Sequence, residues 1–408
     1  MVNTTKIISI CGGALLLASC GSGTKKNTLS KIGDLEITTL DQMDVVANRT
    51  GSGDNSIIVS EIGLPDTPKA ALLLSDLADD VELVKLDQAE DALVRSGQMW
   101  LTDKRFIIYD GNEVKQFDRS GKYLGKIGAK GNGPGEYYIS PYDVAVDEAG
   151  GRIYLLAYNA TKLLSYDLDG KFTGDIPLAH AAKKGFINVN PDGTLTISAL
   201  MFDNDDDRYA VWRQDLDGNM IEGVRAAHLA VAPDFSNEVF MGSGKNGFTY
   251  SLFNYDARQD TIYEYADGML KPLFTADFGD RKPMHNLISF PGFYIVDMIG
   301  ESVEVAPGSY VLPSLVPVLI DKKTLRGGPV ELVLDFIGPV KADRSWIFAK
   351  DTDYFSINID PGDLEETLRK TLEEQSDISE SDRARISELV ESISPDDNNY
   401  LIVGKWKK

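Results

Sequence analysis

"DVAVDEAGGRIYLLAYNATKLLSYDLDGKFTGDI", residues 143–176, decides the fold. "DVAVD" alternates apolar and polar, "EAGG" turns, and "RIYLLAY" runs on as a second strand. "NAT" turns again, "KLLSY" makes a third strand, "DLDG" turns, and "KFTGDI" makes a fourth. Alternation broken by tight turns rich in Gly, Asn and Asp is the pattern of consecutive antiparallel strands.

The closing turn recurs. "FDRSGKYLGKI" at 117–127, "YDLDGKFTGDI" at 166–176, "QDLDGNMIEGV" at 214–224 and "YADGMLKPLF" at 265–274 place their glycines at 121, 170, 218 and 268. The spacings are 49, 48 and 50 residues. Asp118, Asp167 and Asp215 stand three places before the glycine, and Asp267 immediately precedes the fourth. Four short strands in each period of about fifty residues is the signature of a propeller blade.

A fifth unit, 310–336, keeps strands but lacks the glycine turn. A sixth is assembled from 346–360 and 400–408, with an N-terminal strand from 80–87. Strand exchange between the two ends then closes the ring. The expectation is an all-β, six-bladed β-propeller of four-stranded antiparallel blades over 56–408. A helical hairpin is inserted at about 362–394, where Leu364, Leu368, Leu372 and Ile386, Leu389, Val390, Ile393 follow helical spacing. Asp363 with Glu366 marks the start of the first helix, Pro395 the stop of the second. Each helix has one apolar stripe and is expected to pack on the propeller's side or rim.

The N-terminus reads as an export signal. Lys6 precedes a short apolar run, Ile7 to Leu17, and then Leu17-Ala18-Ser19-Cys20, which resembles a bacterial lipobox. Residues 1–19 are expected to be a lipoprotein signal peptide, Cys20 the lipidated residue, and 20–55 a flexible tether. The other cysteine, Cys11, falls inside the signal, so no thiol remains for a disulfide or a nucleophile. A formal charge of -22, from 63 acidic and 41 basic residues, disfavours nucleic acid and anionic lipid as broad-surface partners.

The succession Ile127-Gly128, Gly131, Gly133-Pro134-Gly135-Glu136-Tyr137, Val144-Ala145-Val146-Asp147, Ile153-Tyr154 and Tyr166-Asp167-Leu168-Asp169-Gly170-Lys171 resembles the six-bladed propeller lipoproteins of the Bacteroidota, relatives of NHL-repeat and TolB-like propellers. The likeness runs from about Glu61 to the C-terminus. It implies an exported lipoprotein anchored to the cell envelope, on the periplasmic leaflet or the cell surface.

The glycine-rich stretch 128–135 is not a phosphate cradle. Glu136-Tyr137 follow where a P-loop needs a lysine and a hydroxyl, and a strand follows where a dinucleotide fingerprint needs a helix. It reads as a connection from the outermost strand of one blade to the innermost strand of the next. In a propeller such connections share one face with the loops between second and third strands. That face collects the candidate binding residues Lys130, Asn132, Glu136, Tyr137, Tyr138, Tyr142, Tyr158, Asn159, His180, Lys183 and Arg208. Tyrosine supplies broad contact area with a polar tip, as binding surfaces favour.

Catalytic signatures are missing. His180, His228 and His285 form no zinc or catalytic spacing, G-x-S-x-G is absent, and "DNDDD" at 203–207 lacks the order of an EF-hand loop. His285 sits in "RKPMHNLISFPGFY", which reads as a long irregular approach to the fifth blade. Two functions follow. The first is a lipid-anchored module binding a protein, peptide or glycan, with no cofactor. The alternative resembles gluconolactonase-type propellers: a metal-dependent hydrolase or lactonase with a divalent cation in the channel, lined by positions such as Asp143 or Asn188.

Overall fold

The computed structural model describes residues 30–408 apart from 54–55, 96, 207–208, 245–246, 255–259, 312, 314, 343–352 and 376–377. The signal peptide, Cys20 and Arg208 lie outside the described residues. Among them the protein is a β-propeller. In five sheets, four strands follow one another antiparallel in chain order. The first blade runs Gln98–Leu101, Arg105–Tyr109, Val114–Asp118, Tyr123–Lys126, and the second Pro141–Asp147, Arg152–Ala157, Ala160–Asp167, Phe172–Ala182. The third is Gly185–Val189, Leu195–Ala199, Tyr209–Gln214, Met220–Arg225, and the fourth Glu238–Ser243, Phe248–Phe253, Thr261–Ala266, Met269–Asp277. Met284–Ser289, Phe293–Ile299, Val318–Asp321 and Gly327–Val333 form the fifth. A further sheet has three strands among the described residues: Tyr354–Ile359, Tyr400–Trp406 and Ala78–Lys85.

Strand composition follows from this stacking. A blade is covered on both faces by its neighbours, so a central strand buries both sets of side chains and reads as nearly continuous apolar sequence. In Arg152–Ala157, Ile153 and Leu155 pack with Trp100, Ile107 and Tyr109 of the first blade. Tyr154 and Leu156 pack with Ile187, Ile197 and Trp212 of the third. The three-stranded sheet is held the same way: Phe355, Ile357 and Trp406 face the fifth blade, while Val84, Tyr354, Leu401 and Val403 face Met99, Phe106 and Ile108 of the first. The two chain ends meet in it, Tyr400 pairing with Lys85 and Ile402 with Leu83.

Two expectations change. The span 20–55 is not all tether. Lys31–Ile32 and Leu35–Thr38 join the fifth blade's sheet through Ala70–Leu73, and Ala47–Thr50 joins the fourth blade's sheet through Ile57–Glu61. Ile57–Glu61 and Ala70–Leu73 run parallel to the outer strands Met269–Asp277 and Gly327–Val333, covering edges that would otherwise stay open. The stretch around His285 is two regular strands, Met284–Ser289 and Phe293–Ile299, not an irregular approach. The helical insert comprises Pro361–Glu374 and Glu380–Ser392, capped by Asp360, which accepts from the Gly362 amide at 2.8 Å, and Ser379, which accepts from the Asp382 amide at 3.0 Å. Its buried Leu364, Leu368, Ile386 and Val390 pack against Leu334, Ile337 and Val340, which follow the fifth blade's last strand. No helix among the described residues is long and apolar enough to cross a membrane.

Candidate functional site

In each blade, the connection from fourth strand to next first strand and the loop between second and third strands emerge on the same face. Two of these loops are joined by backbone: the Asp203 amide donates to Val231 O at 2.8 Å, and the Val231 amide to Met201 O at 3.0 Å. A third contact crosses from the second blade, where the Asn159 amide donates to Lys183 O at 2.8 Å.

The face carries a compact polar and aromatic cluster. Lys184, buried, donates to the carbonyls of Phe235 and Asn237 at 2.6 and 2.8 Å and pairs with Glu238 at 2.5 Å. The other Glu238 oxygen accepts from the Tyr142 hydroxyl. Burial first, then the Glu238 charge, push the Tyr142 phenol above its ordinary value, so it stays a donor. Lys183 pairs with Asp205 and lies over the Phe202 ring at 4.5 Å. Phe235 meets Tyr158 at 5.7 Å and Phe202 at 5.4 Å between ring centroids, yet it is 58% exposed. Its carbonyl is held by Lys184, its ring meets Tyr158 and Phe202, and most of the residue is left to solvent.

The predicted residues divide. Tyr158, Lys183 and Tyr142 belong to this cluster, Tyr142 as a buried support. Lys130, Asn132 and Tyr138 are exposed on the neighbouring connection, Tyr138 at 71%. Asn159 is exposed and takes φ +57° to turn the chain. Glu136 is exposed but bonds its own loop, accepting from the Gly133 amide at 2.7 Å. Tyr137 belongs to the core: it is 2% exposed and its hydroxyl accepts from the Val114 amide at 3.1 Å. His180 packs against outer strands of the third blade, stacked on Tyr209 at 4.2 Å. Phe235 is the important addition. A lone aromatic in the polar turn "APDFSNE", 232–238, was the available signal for it.

The two channel positions, Asp143 and Asn188, are both hydrogen-bonded. Asp143 accepts from Trp100 Nε1 and from the Ile187 amide, each at 2.7 Å, and so ties the inner strands of three blades together. Asn188 donates to Asn190 at 3.0 Å. Among the described residues no three His, Cys, Asp or Glu side chains are grouped to hold a metal ion.

Fold and face thus define a β-propeller with a built loop surface. The profile of the domain of unknown function DUF4934 matches residues 60–310, more than half of the chain, and the protein belongs to that family. Its fold is similar to that of a Bacteroides fragilis protein assigned as exported, at 17% identity and a TM-score of 0.52, over 81% of this chain and 95% of the other. A protein of unknown function from Bacteroides caccae aligns at 12% identity over 68% and 89% with a TM-score of 0.37. A member of the DUF4221 family from Bacteroides vulgatus aligns at 12% over 81% and 97% with a TM-score of 0.38. None of the functionally curated proteins matches the chain.

Proposed function

We propose that the protein is an exported, lipid-anchored propeller of the NHL/TolB-like kind. Its loop face binds a protein, peptide or glycan, and Cys20 carries the lipid. The observation that carries the binding role is Phe235: an exposed ring held by Tyr158, Phe202 and the buried Lys184, itself paired with Glu238. Exposed aromatics whose conformation is already fixed lose little entropy on association and make good anchors. Exposed Tyr138 extends the surface on the adjoining connection.

We also infer that the three-stranded sheet is the sixth blade. A Cβ on turn glycine Gly170 of the second blade would meet Lys126 O of the first blade's outer strand at 2.2 Å, and one on Gly218 of the third would meet Pro177 O of the second at 2.8 Å. A Cβ on Gly121 of the first blade would meet Lys85 O, on the outer strand of the three-stranded sheet, at 2.4 Å. The same neighbour relation supports a ring of six.

Peptide and glycan arrays probed with the protein and with the double variant Tyr158→Ala/Phe235→Ala test the binding role. The expected result is a small set of ligands lost in the double variant, whose melting temperature stays near that of the parent. Arrays without ligands, or ligands retained by the double variant, would count against this face.

A further inference from the structure

On the opposite face, where first strands turn into second strands and third into fourth, a cavity of about 1060 Å³ leads into the channel. That is the upper end of the size range for small-molecule sites. Its wall between the fourth and fifth blades gathers three donors on separate elements. Lys322, from the turn after Val318–Asp321, donates from Nζ to Ser289 Oγ at 2.7 Å and Ser243 O at 3.3 Å, and lies over the Tyr294 ring at 4.9 Å. No carboxylate pairs with it among the described residues. Tyr294, stacked on Phe274 at 4.4 Å, has no hydrogen-bond partner for its hydroxyl among the described residues and borders the cavity. Arg49, on Ala47–Thr50, also lines the cavity, and its guanidinium has neither hydrogen-bond nor ion-pair partner among the described residues.

The charge balance at this wall is positive. Glu264 lines it too, but stands directly across the strand pair from Lys271, which offsets it. Asp353 and Lys408 also line the cavity, as does Asp143 on the far side of the channel, where it is hydrogen-bonded to Trp100 and Ile187. Among the described residues Arg49 and Lys322 form no ion pair, in a chain of net charge -22, and the Glu264 charge reaches Lys322 without pairing with it. A guanidinium fork, an ammonium and a phenol hydroxyl around one space are complementary to an oxyanion. Ile58 and Leu273 add an apolar wall for the body of a ligand.

We propose that this cavity binds a small organic anion, its carboxylate or phosphate held by Arg49, Lys322 and the Tyr294 hydroxyl. The site is separate from the loop face, and neither depends on the other. Burial lowers the Lys322 amine to about 8, against an opposing pull from Glu264, which makes it a reactive reporter of occupancy.

The experiment modifies the full-length protein with trinitrobenzenesulfonate and follows Lys322 and its exposed neighbour Lys323 by peptide mass mapping. Labelling is repeated with citrate, with inorganic phosphate, and with chloride at matched ionic strength. The expected result is that citrate, phosphate or both slow Lys322 by about tenfold at saturation and raise the melting temperature. Chloride leaves Lys322 unchanged, and Lys323 is indifferent to all three. Whether citrate or phosphate protects at lower concentration assigns the headgroup. Arg49→Gln, a change at an exposed position, should abolish both protection and thermal shift. Absence of protection and of thermal shift in the parent protein, or equal protection in Arg49→Gln, would overturn the proposal.

Discussion

At the turn glycines, one residue type answers two demands. Gly170 takes φ +82°, a conformation costly for any side chain, and its Cα faces the Lys126 carbonyl of the preceding blade too closely for a Cβ. Asp167, three places earlier, accepts from the amides of Asp169 at 3.1 Å and Lys171 at 2.9 Å, closing the turn from inside. Gly193 makes a useful contrast, with φ +81° and nothing within 4 Å of a Cβ. Gly193→Ala should therefore cost about 1 kcal/mol, the backbone penalty alone. Gly170→Ala should cost at least about 2 kcal/mol, because the blades must also part. Urea unfolding of the two variants measures the difference; equal costs would mean that the turn does not set the spacing between blades. This double demand is why the repeat was legible in sequence: the same D-x-x-G recurs in the first three blades, at Gly121, Gly170 and Gly218, each of which abuts the outer strand of the sheet before it.

Among elements, legibility followed burial. The helices were readable because each buries a single stripe, so Leu364, Leu368, Ile386 and Val390 keep helical spacing. In the fifth blade Phe293–Ile299 is buried on both faces, which erases alternation, and Met284–Ser289 mixes His285, Asn286 and Ser289 with its apolar residues, so neither strand announced itself. Strands Ile57–Glu61 and Ala70–Leu73 pair with partners about two hundred residues or more away, and no local pattern announces that. The fifth blade also holds a testable polar pair. Asp297 is 7% exposed and receives a 3.3 Å bond from Asn286 Nδ2 on the facing strand; burial pushes its carboxyl up to about 6. Its protonated form is favoured by folding, so its contribution is fully present below about pH 4 and lost as pH rises through about 6. Asp297→Asn should gain about 1–3 kcal/mol over the parent at pH 8 and nothing at pH 4. Neighbouring His285, drawn below its ordinary value by burial, works in the opposite sense: its contribution is present above about pH 6.5 and lost as pH falls. Comparing parent and variant at each pH cancels it. A gain for Asp297→Asn that is independent of pH would contradict this account.

Across the whole molecule, packing runs around the ring from blade to blade and closes through the sheet where the two chain ends meet. The opposite faces have different character. The loop face presents fixed aromatics over the buried Lys184 and its half-buried partner Glu238, while the turn face opens on a cavity lined by Arg49 and Lys322, which form no ion pair among the described residues. Sequence placed Tyr138, Tyr158 and Lys183 on the loop face because connections follow from strand order. It did not distinguish exposed Tyr138 from buried Tyr137, since a one-residue step in an extended segment reverses direction. Phe235 became visible only with its supports. The central claim, partner binding through the loop face, is tested most directly by site-specific photo-crosslinking in the native cell. A benzophenone amino acid replaces Phe235 or Tyr138 on that face, or exposed Met269 on the fourth blade's outer strand as the control. The account predicts one discrete adduct from positions 235 and 138 and none from 269. Adducts only from 269, or the same adducts from all three positions, would contradict it.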